Sequence, residues 1–359
     1  MAVIDPILDE LVKRGGTDVH LAVNQPPLGR VRGEIAPLRE QPVTAKELEE
    51  MLLELVTPAQ RQRLAADLDL DLAIQFKDVA RFRANYYVKH SGIAASFRLV
   101  PTRVPSLTEL GLPEVLWRLA DRRSGLVLVA GPAGNGKTTT AAAMVDHVNK
   151  TRPAHVLTIE NPIEFVHESS RAQITQREIG THTPSFAAAL KSAPRENADV
   201  IVLSELPGPD DIETVLKLAS DGILVIATVA AGSATSTIER VVLGVPPERQ
   251  SRVLGVLADC LAGLVVQHLV RAADGKSRVA AHEVLVSNAA ISTIIRDGQW
   301  TRVREALIAG GPQGMQTLDS ALERLLEAQK ITPDAAQERA VDKESFADVV
   351  RRLRPDLAD

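Results

Sequence analysis

The chain has 359 residues, 45% hydrophobic and only 3% aromatic, so two or three domains are expected, with cores built from Val, Ile, Leu and Ala. A formal charge of −5 at pH 7 argues against a nucleic-acid motor, which would carry a basic face, and no nucleic-acid partner is expected. A single cysteine, Cys260, rules out an internal disulfide and suits a reducing compartment.

The sequence opens with Ile4 to Arg14, an amphipathic pattern that predicts a short helix. Asp5, Asp9 and Glu10 stand where a secretory leader would place a basic start and an apolar run, so no leader is expected. Asp18 to Leu21 and Gly29 to Glu34 read as strands around the Pro26-Pro27 turn. Thr44 to Leu55 reads as a helix with Thr44 as its cap and Glu47 completing a capping box. Asp69 to Phe76, Ala80 to Tyr87 and Ile93 to Leu99 read as strands of an antiparallel sheet. Residues 1–100 therefore form an α+β domain, and the proline-rich residues 101–113 form a linker.

From residue 114 onward the pattern alternates helix and short apolar strand. The strands are Gly125 to Ala130, Val156 to Ile159, Val200 to Leu203 and Ile223 to Ala227. Such alternation makes residues 114–359 an α/β domain with a doubly wound, mostly parallel sheet. From about Ser251 the chain is expected to be largely helical, including Ala290 to Arg296 and Thr317 to Gln329. The longest apolar stretch, Gly222 to Ala231, is too short to span a bilayer. The protein is expected to be cytoplasmic, with any membrane role supplied by a partner.

Between the first of these strands and an alanine-rich helix lies Gly131-Pro132-Ala133-Gly134-Asn135-Gly136-Lys137-Thr138, which fits the P-loop pattern G-x-x-x-x-G-K-[ST]. Glycines let backbone N–H groups approach phosphates, and the start of the following helix adds a positive field. ATP is the expected ligand, held by these eight residues and Thr139, with Lys137 on the terminal phosphates and the Thr138 hydroxyl on Mg²⁺.

In a doubly wound sheet, ligands sit beyond the carboxyl ends of the strands. Glu160 and Glu205 each follow a predicted strand there. ATP hydrolysis needs a group that orients the attacking water, a role expected of Glu205, and a carboxylate near the metal, expected of Glu160. The same positions also suit solvated carboxylates at strand ends. Arg81, Arg83 and Arg98 alternate with apolar residues in the first domain. They fit a solvated sheet face, or arginines supplied to a neighbouring subunit's nucleotide, with Arg83 and Arg98 as the candidates.

Several runs resemble one family. Val156 to His167 is similar to the acidic box of the secretion-superfamily ATPases, which include GspE-type proteins, and specifically of the PilT-type retraction motors of type IV pili. Gln176-Arg177-Glu178, Gly314 to Asp319 and Ala290 to Arg296 resemble further signatures of those motors. Thr17 to Leu21 and Ser96 to Arg98 resemble their PAS-like N-terminal domain. The resemblance covers nearly the whole chain. It implies a PAS-like domain followed by a RecA-like ATPase domain with a helical C-terminal extension. It further implies a homohexamer at the inner-membrane base of the pilus, acting on a membrane-embedded platform protein. It also implies that Glu205 is the catalytic glutamate and Glu160 the acidic-box residue.

Four departures stand out. Asn161 replaces an aspartate, and Leu206-Pro207-Gly208-Pro209 replaces a Met-Arg-Asp stretch. Ile223 and Ala230 occupy the positions of two histidines, and Pro194 interrupts a continuous helix. Most of these changes are expected to fall near the γ-phosphate. The expected function is ATP-driven pilus retraction in twitching motility. The alternative is an ATP-binding, weakly hydrolysing paralogue that modulates or co-assembles with a standard motor. A P-loop kinase for a small acceptor would leave the N-terminal domain unexplained.

Overall fold

The computed structural model of the protein describes residues 3–31, 34–77, 79–100 and 103–353. Two compact units emerge: Met1–Val104 with Asn161–Val166, and Pro105–Glu160 with His167–Asp359. Pro101 and Thr102 of the expected linker lie outside the described residues. Residues from Pro105 belong to the second unit, where Leu107 and Leu112 are buried in its core.

The first unit begins with α1 (Asp5–Lys13), β1 (Gly16–Ala22), β2 (Leu28–Val31) and β3 (Glu34–Pro37). The run expected as one strand, Gly29 to Glu34, is divided between β2 and β3, which pair antiparallel with Val31 opposite Glu34. Arg32 and Gly33, between the two strands in sequence, lie outside the described residues. Next come α2 (Ala45–Leu53) and α3 (Pro58–Asp67). Thr44 caps α2 by accepting from the Glu47 N–H at 3.2 Å. The Glu47 side chain does not close the expected box, because it pairs with Arg39 at 2.9 Å. Only Leu64 of α3 is buried, so that helix had no apolar stripe to announce it. Its Thr57–Gln60 capping box is complete.

β4 (Asp69–Phe76), β5 (Ala80–Lys89) and β6 (Gly92–Val100) complete an antiparallel sheet of order β3-β2-β1-β6-β5-β4 among the described residues. Strict alternation sends Leu70, Leu72, Ile74, Phe82, Ala84 and Tyr86 into a core shared with Ile7, Leu8 and Leu11 of α1 and Leu48, Met51 and Leu52 of α2. Arg81, Arg83 and Arg98 occupy the alternate positions of β5 and β6 and so point to the other face.

The second unit runs through α4 (Val115–Ala120), β7 (Gly125–Ala130), α5 (Lys137–Thr151), β8 (His155–Glu160), β9 (Gln173–Glu178) and α6 (Phe186–Ser192). Pro194 ends α6, and the chain continues as a tighter turn over Ala193–Glu196. Then follow β10 (Val200–Leu203), α7 (Pro209–Ser220), β11 (Leu224–Val229), α8 (Ala234–Leu243) and α9 (Pro247–Cys260). The region expected to be helical instead continues as β12 (Leu261–Arg271) and β13 (Arg278–Val286). Helices resume with α10 (Ala289–Arg296), α11 (Val303–Ala309), α12 (Leu318–Glu327), α13 (Pro333–Arg339) and α14 (Lys343–Leu353).

The sheet order is β13-β12-β7-β11-β10-β8-β9, parallel throughout except for the antiparallel edge strand β13. Every residue of β7, β10 and β11 is buried, as expected of strands covered on both faces. β7 lies between β11 and β12, at the point where the strand order reverses, so a crevice opens beyond its carboxyl end. No helix among the described residues is long and apolar enough to cross a membrane.

Candidate nucleotide site

The glycine loop fills that crevice. β7 ends at Ala130, and α5 begins at Lys137 with Gly136 as its cap in the left-handed region at φ 78°. The Gly131 N–H donates to the Val229 carbonyl at 3.2 Å, tying the loop's start to β11. Lys137 Nζ donates to the Pro132 carbonyl at 3.0 Å, inside the loop it would serve. Asn135 Nδ2 donates to the Ala133 carbonyl at 3.0 Å, and its Oδ1 accepts from the Leu269 N–H at 2.7 Å. Thr138 and Thr139 lie half-buried in the first turn of α5, while Gly134 and Ala133 are exposed at the loop's tip. A helix N-terminus and loop N–H groups make this a ready anion cradle.

Glu205 sits on the loop after β10 and is exposed. That loop is tied on both sides of it: Thr228 Oγ1 donates to the Ser204 carbonyl at 2.6 Å, and the Leu206 N–H donates to the Thr228 carbonyl at 2.7 Å. The Ser204 N–H also donates to the Ile159 carbonyl. The backbone beneath Glu205 is therefore fixed to β8 and β11, while its carboxylate is left to solvent. Pro209 opens α7 at its first turn, and Pro207 is buried, so the stretch that replaces Met-Arg-Asp is a rigid entry to a helix.

Glu160 is the last residue of β8 rather than the residue after it, and is only 8% exposed. It accepts from Thr158 Oγ1 at 2.6 Å and from Gln176 Nε2 at 3.0 Å. Its carboxylate is held at the strand end by β9, a strand the sequence reading omitted. Among the described residues no group of three His, Cys, Asp or Glu gathers to hold a metal. A Mg²⁺ here would draw most of its ligands from phosphate and water, as Mg²⁺ commonly does. The lone hydroxyl of Thr138 in the first turn of α5 fits that pattern.

The two positions expected to carry sensing histidines are far apart. Ala230 follows β11 directly, level with the loop, because β11 and β7 pair in parallel as far as Val229 and Ala130. Ile223 precedes β11, at the opposite edge of the sheet. The six residues of β11 lie between the two, so seven steps of about 3.3 Å put them roughly 23 Å apart. Within this chain, then, only Ala230 lies on the loop's side of the sheet.

In the first unit, Arg83 Nη1 donates to Glu164 at 3.0 Å, and Arg81 Nε donates to the Ile163 carbonyl at 3.0 Å. Arg98 Nε donates to Asp18 at 2.9 Å, with its side chain 71% exposed. Cys260 is buried, and burial pushes its thiol up to about 11, which leaves it unreactive.

The sequence reading missed Gln267 and His282. Gln267 on β12 is 4% exposed and donates from Nε2 to the Asn135 carbonyl at 2.6 Å. Its Oε1 accepts from Thr140 Oγ1 at 2.7 Å and from His282 Nε2 at 3.0 Å. A polar residue inside the apolar run Leu264 to Val270 was the available signal.

A glycine loop braced between a central parallel strand and a helix, at the carboxyl edge of a sheet that also carries Glu160 and Glu205, belongs to a P-loop nucleotide-binding protein. Comparison with known proteins narrows the class. Residues 1–341 match the family described as Type II/IV secretion system protein, and the chain belongs to that family.

The chain is 38% identical over 343 residues to the type IV pilus retraction ATPase PilT of Pseudomonas aeruginosa, covering 96% of this chain and 99% of that protein. It is 40% identical over 321 residues to the twitching motility protein of Neisseria gonorrhoeae, covering 89% and 86%. A crystal structure of the pilus retraction motor PilT with bound ADP shares 35% identity and superposes with a TM-score of 0.85, over 95% of this chain and 98% of that chain.

Proposed function

We propose that the protein is a hexameric ATPase motor of the type IV pilus machinery, in which ATP hydrolysis drives pilus retraction and hence twitching motility. The single observation that carries this reading is a complete phosphate loop in a chain that matches a pilus retraction ATPase along 96% of its length. The first unit is read as the PAS-like domain over residues 1–100, joined by a linker over 101–113 to a RecA-like ATPase domain over 114–359. The motor works in the cytoplasm at the inner-membrane base of the pilus, against a membrane-embedded platform protein.

The residues divide the chemistry as follows. N–H groups of Ala133 to Gly136 and the start of α5 hold the phosphates of ATP. Lys137, released from the Pro132 carbonyl, neutralises the terminal phosphates. Bound Mg²⁺, held with the help of the Thr138 hydroxyl, would supply positive charge to the β- and γ-phosphate oxygens. Glu205, free in solvent on a fixed loop, orients and polarises the attacking water. Glu160, buried and doubly hydrogen-bonded, acts on the metal side. Arg83 and Arg98 are the candidates for an arginine supplied to a neighbouring copy's nucleotide, once released from Glu164 and Asp18.

Phosphate release with Mg²⁺-ATP tests this reading. The wild type is expected to turn over, and Glu205→Gln to lose roughly 10²–10³-fold, as removal of one electrostatic stabiliser does. Equal, background-level rates for both would sink the active motor. The reading then left is an ATP-binding, weakly hydrolysing paralogue that co-assembles with a standard motor, which Ala230 beside the loop and the arginine-free stretch after Glu205 favour. Lys137→Ala is expected to abolish Mg²⁺-dependent nucleotide binding under either reading, and unchanged binding would remove the loop from both.

A further inference from the structure

Gln267 braces the glycine loop from outside it. Its amide orientation is set by its partners. The Asn135 carbonyl can only accept, so the NH₂ end must face it at 2.6 Å. The oxygen end then accepts from Thr140 Oγ1 and from His282 Nε2, at 2.7 and 3.0 Å. His282 donates from Nε2, and burial, with the charge of His268 nearby, pulls its pKa down to about 4, so it stays neutral at physiological pH. Both ends of one buried side chain are thus used, one on the loop itself and the other on the first turn of α5.

The loop's own glycines carry the mark of this contact. A Cβ on Gly136 would meet Gln267 Nε2 at 2.8 Å, and a Cβ on Gly131 would meet the Gln267 carbonyl oxygen at 2.5 Å. Both are closer than real Cβ atoms approach, and both glycines also hold positive φ, at 78° and 155°. The β12 backbone leaves Gly131 no room for a side chain, and the Gln267 amide fills the space beside Gly136.

We propose that Gln267 is a positioning residue for nucleotide binding. It pins the Asn135 peptide to the first turn of α5, so that the loop N–H groups converge where the β-phosphate sits. The phosphate contacts it shapes are made alike in ground and transition states, so its loss raises KM and leaves kcat nearly unchanged. A residue that served folding alone would not split the two constants this way. The proposal rests on the loop being a nucleotide site.

The test measures ADP binding by calorimetry and steady-state ATP turnover for wild type, Gln267→Met and Gln267→Glu, with thermal unfolding as the control for folding. Gln267→Met keeps the volume and removes all three polar contacts. Gln267→Glu keeps both accepting contacts but sets a carboxylate oxygen against the Asn135 carbonyl. Each variant is expected to raise the Kd for ADP roughly 10- to 100-fold, the range one unsatisfied buried polar group costs. KM is expected to follow, with kcat within about threefold of wild type. Should Gln267→Met fail to fold, the folded Gln267→Glu protein carries the test. ADP binding within twofold of wild type in a folded variant would overturn the proposal, as would a fall confined to kcat. A wild type that binds no ADP would overturn the nucleotide site itself, and the proposal with it.

Discussion

His282 makes stability sensitive to pH, although solvent barely reaches it. Burial pulls it from the ordinary histidine value of 6.5 to about 4. Between those values the unfolded chain binds a proton that the folded chain refuses, so stability is full above about pH 6.5 and lost as pH falls toward 4. At about 1.36 kcal/mol per unit, this one group costs on the order of 3 kcal/mol across the window. His167, pulled to about 4 by burial, acts with the same sign. Urea unfolding at pH 7 and pH 5 is expected to show a marked loss for wild type and a visibly smaller one for His282→Gln. An equal loss in both proteins would mean that His282 is not refusing a proton.

At the scale of elements, β13 does more than close the sheet edge. Glu283 is 9% exposed and accepts from the Ala234 N–H at 2.5 Å, at the start of α8. It also takes a backbone hydrogen bond from Leu318 at the start of α12, and burial raises its pKa. Helix starts leave unsatisfied N–H groups, and one carboxylate serves two of them here. Glu283→Leu is expected to cost roughly 1–3 kcal/mol by chemical denaturation, the price of buried donors left unpaired. A loss below about 0.5 kcal/mol would show that water replaces the carboxylate.

The elements also show where sequence reasoning stopped. The glycine loop, its strand and its helix were legible because the motif, the apolar run and the alanine-rich helix agree. β12 was not, because Leu261 to Val270 is apolar without alternation, and a doubly covered strand and a buried helix then look alike. Asp274-Gly275, in the turn before β13, was a readable hairpin signal. Missing that hairpin hid Gln267 and His282, and with them the brace on the loop. The distance between Ile223 and Ala230, by contrast, follows from the strand read at Ile223 to Ala227.

At the scale of the whole molecule, the two units are joined three times. The chain passes between them at Val104 and Pro105, at Glu160 and Asn161, and again at Val166 and His167. Asn161–Val166 is held in the first unit, with the Ile163 carbonyl accepting from Arg81 and Glu164 paired with Arg83. Ile163 and Phe165 are 6% and 4% exposed. Fragments 1–104 and 105–359 expressed together from separate reading frames are therefore expected to co-purify through that segment. Clean separation on a sizing column would show that it contributes too little to hold them.

This threading limits how the chain can be shuffled. A crossover at residue 104 between this gene and a distant relative's would deliver a foreign first unit while leaving residues 161–166 behind in the second. The transplanted sheet would then have to accept six residues it had never been selected to bind. Arg81, Arg83, Ile163 and Glu164 would have to be inherited as one block, though about eighty positions separate the two halves of that block. Recombination should therefore favour crossovers on the far side of residue 166 over those at the visible seam.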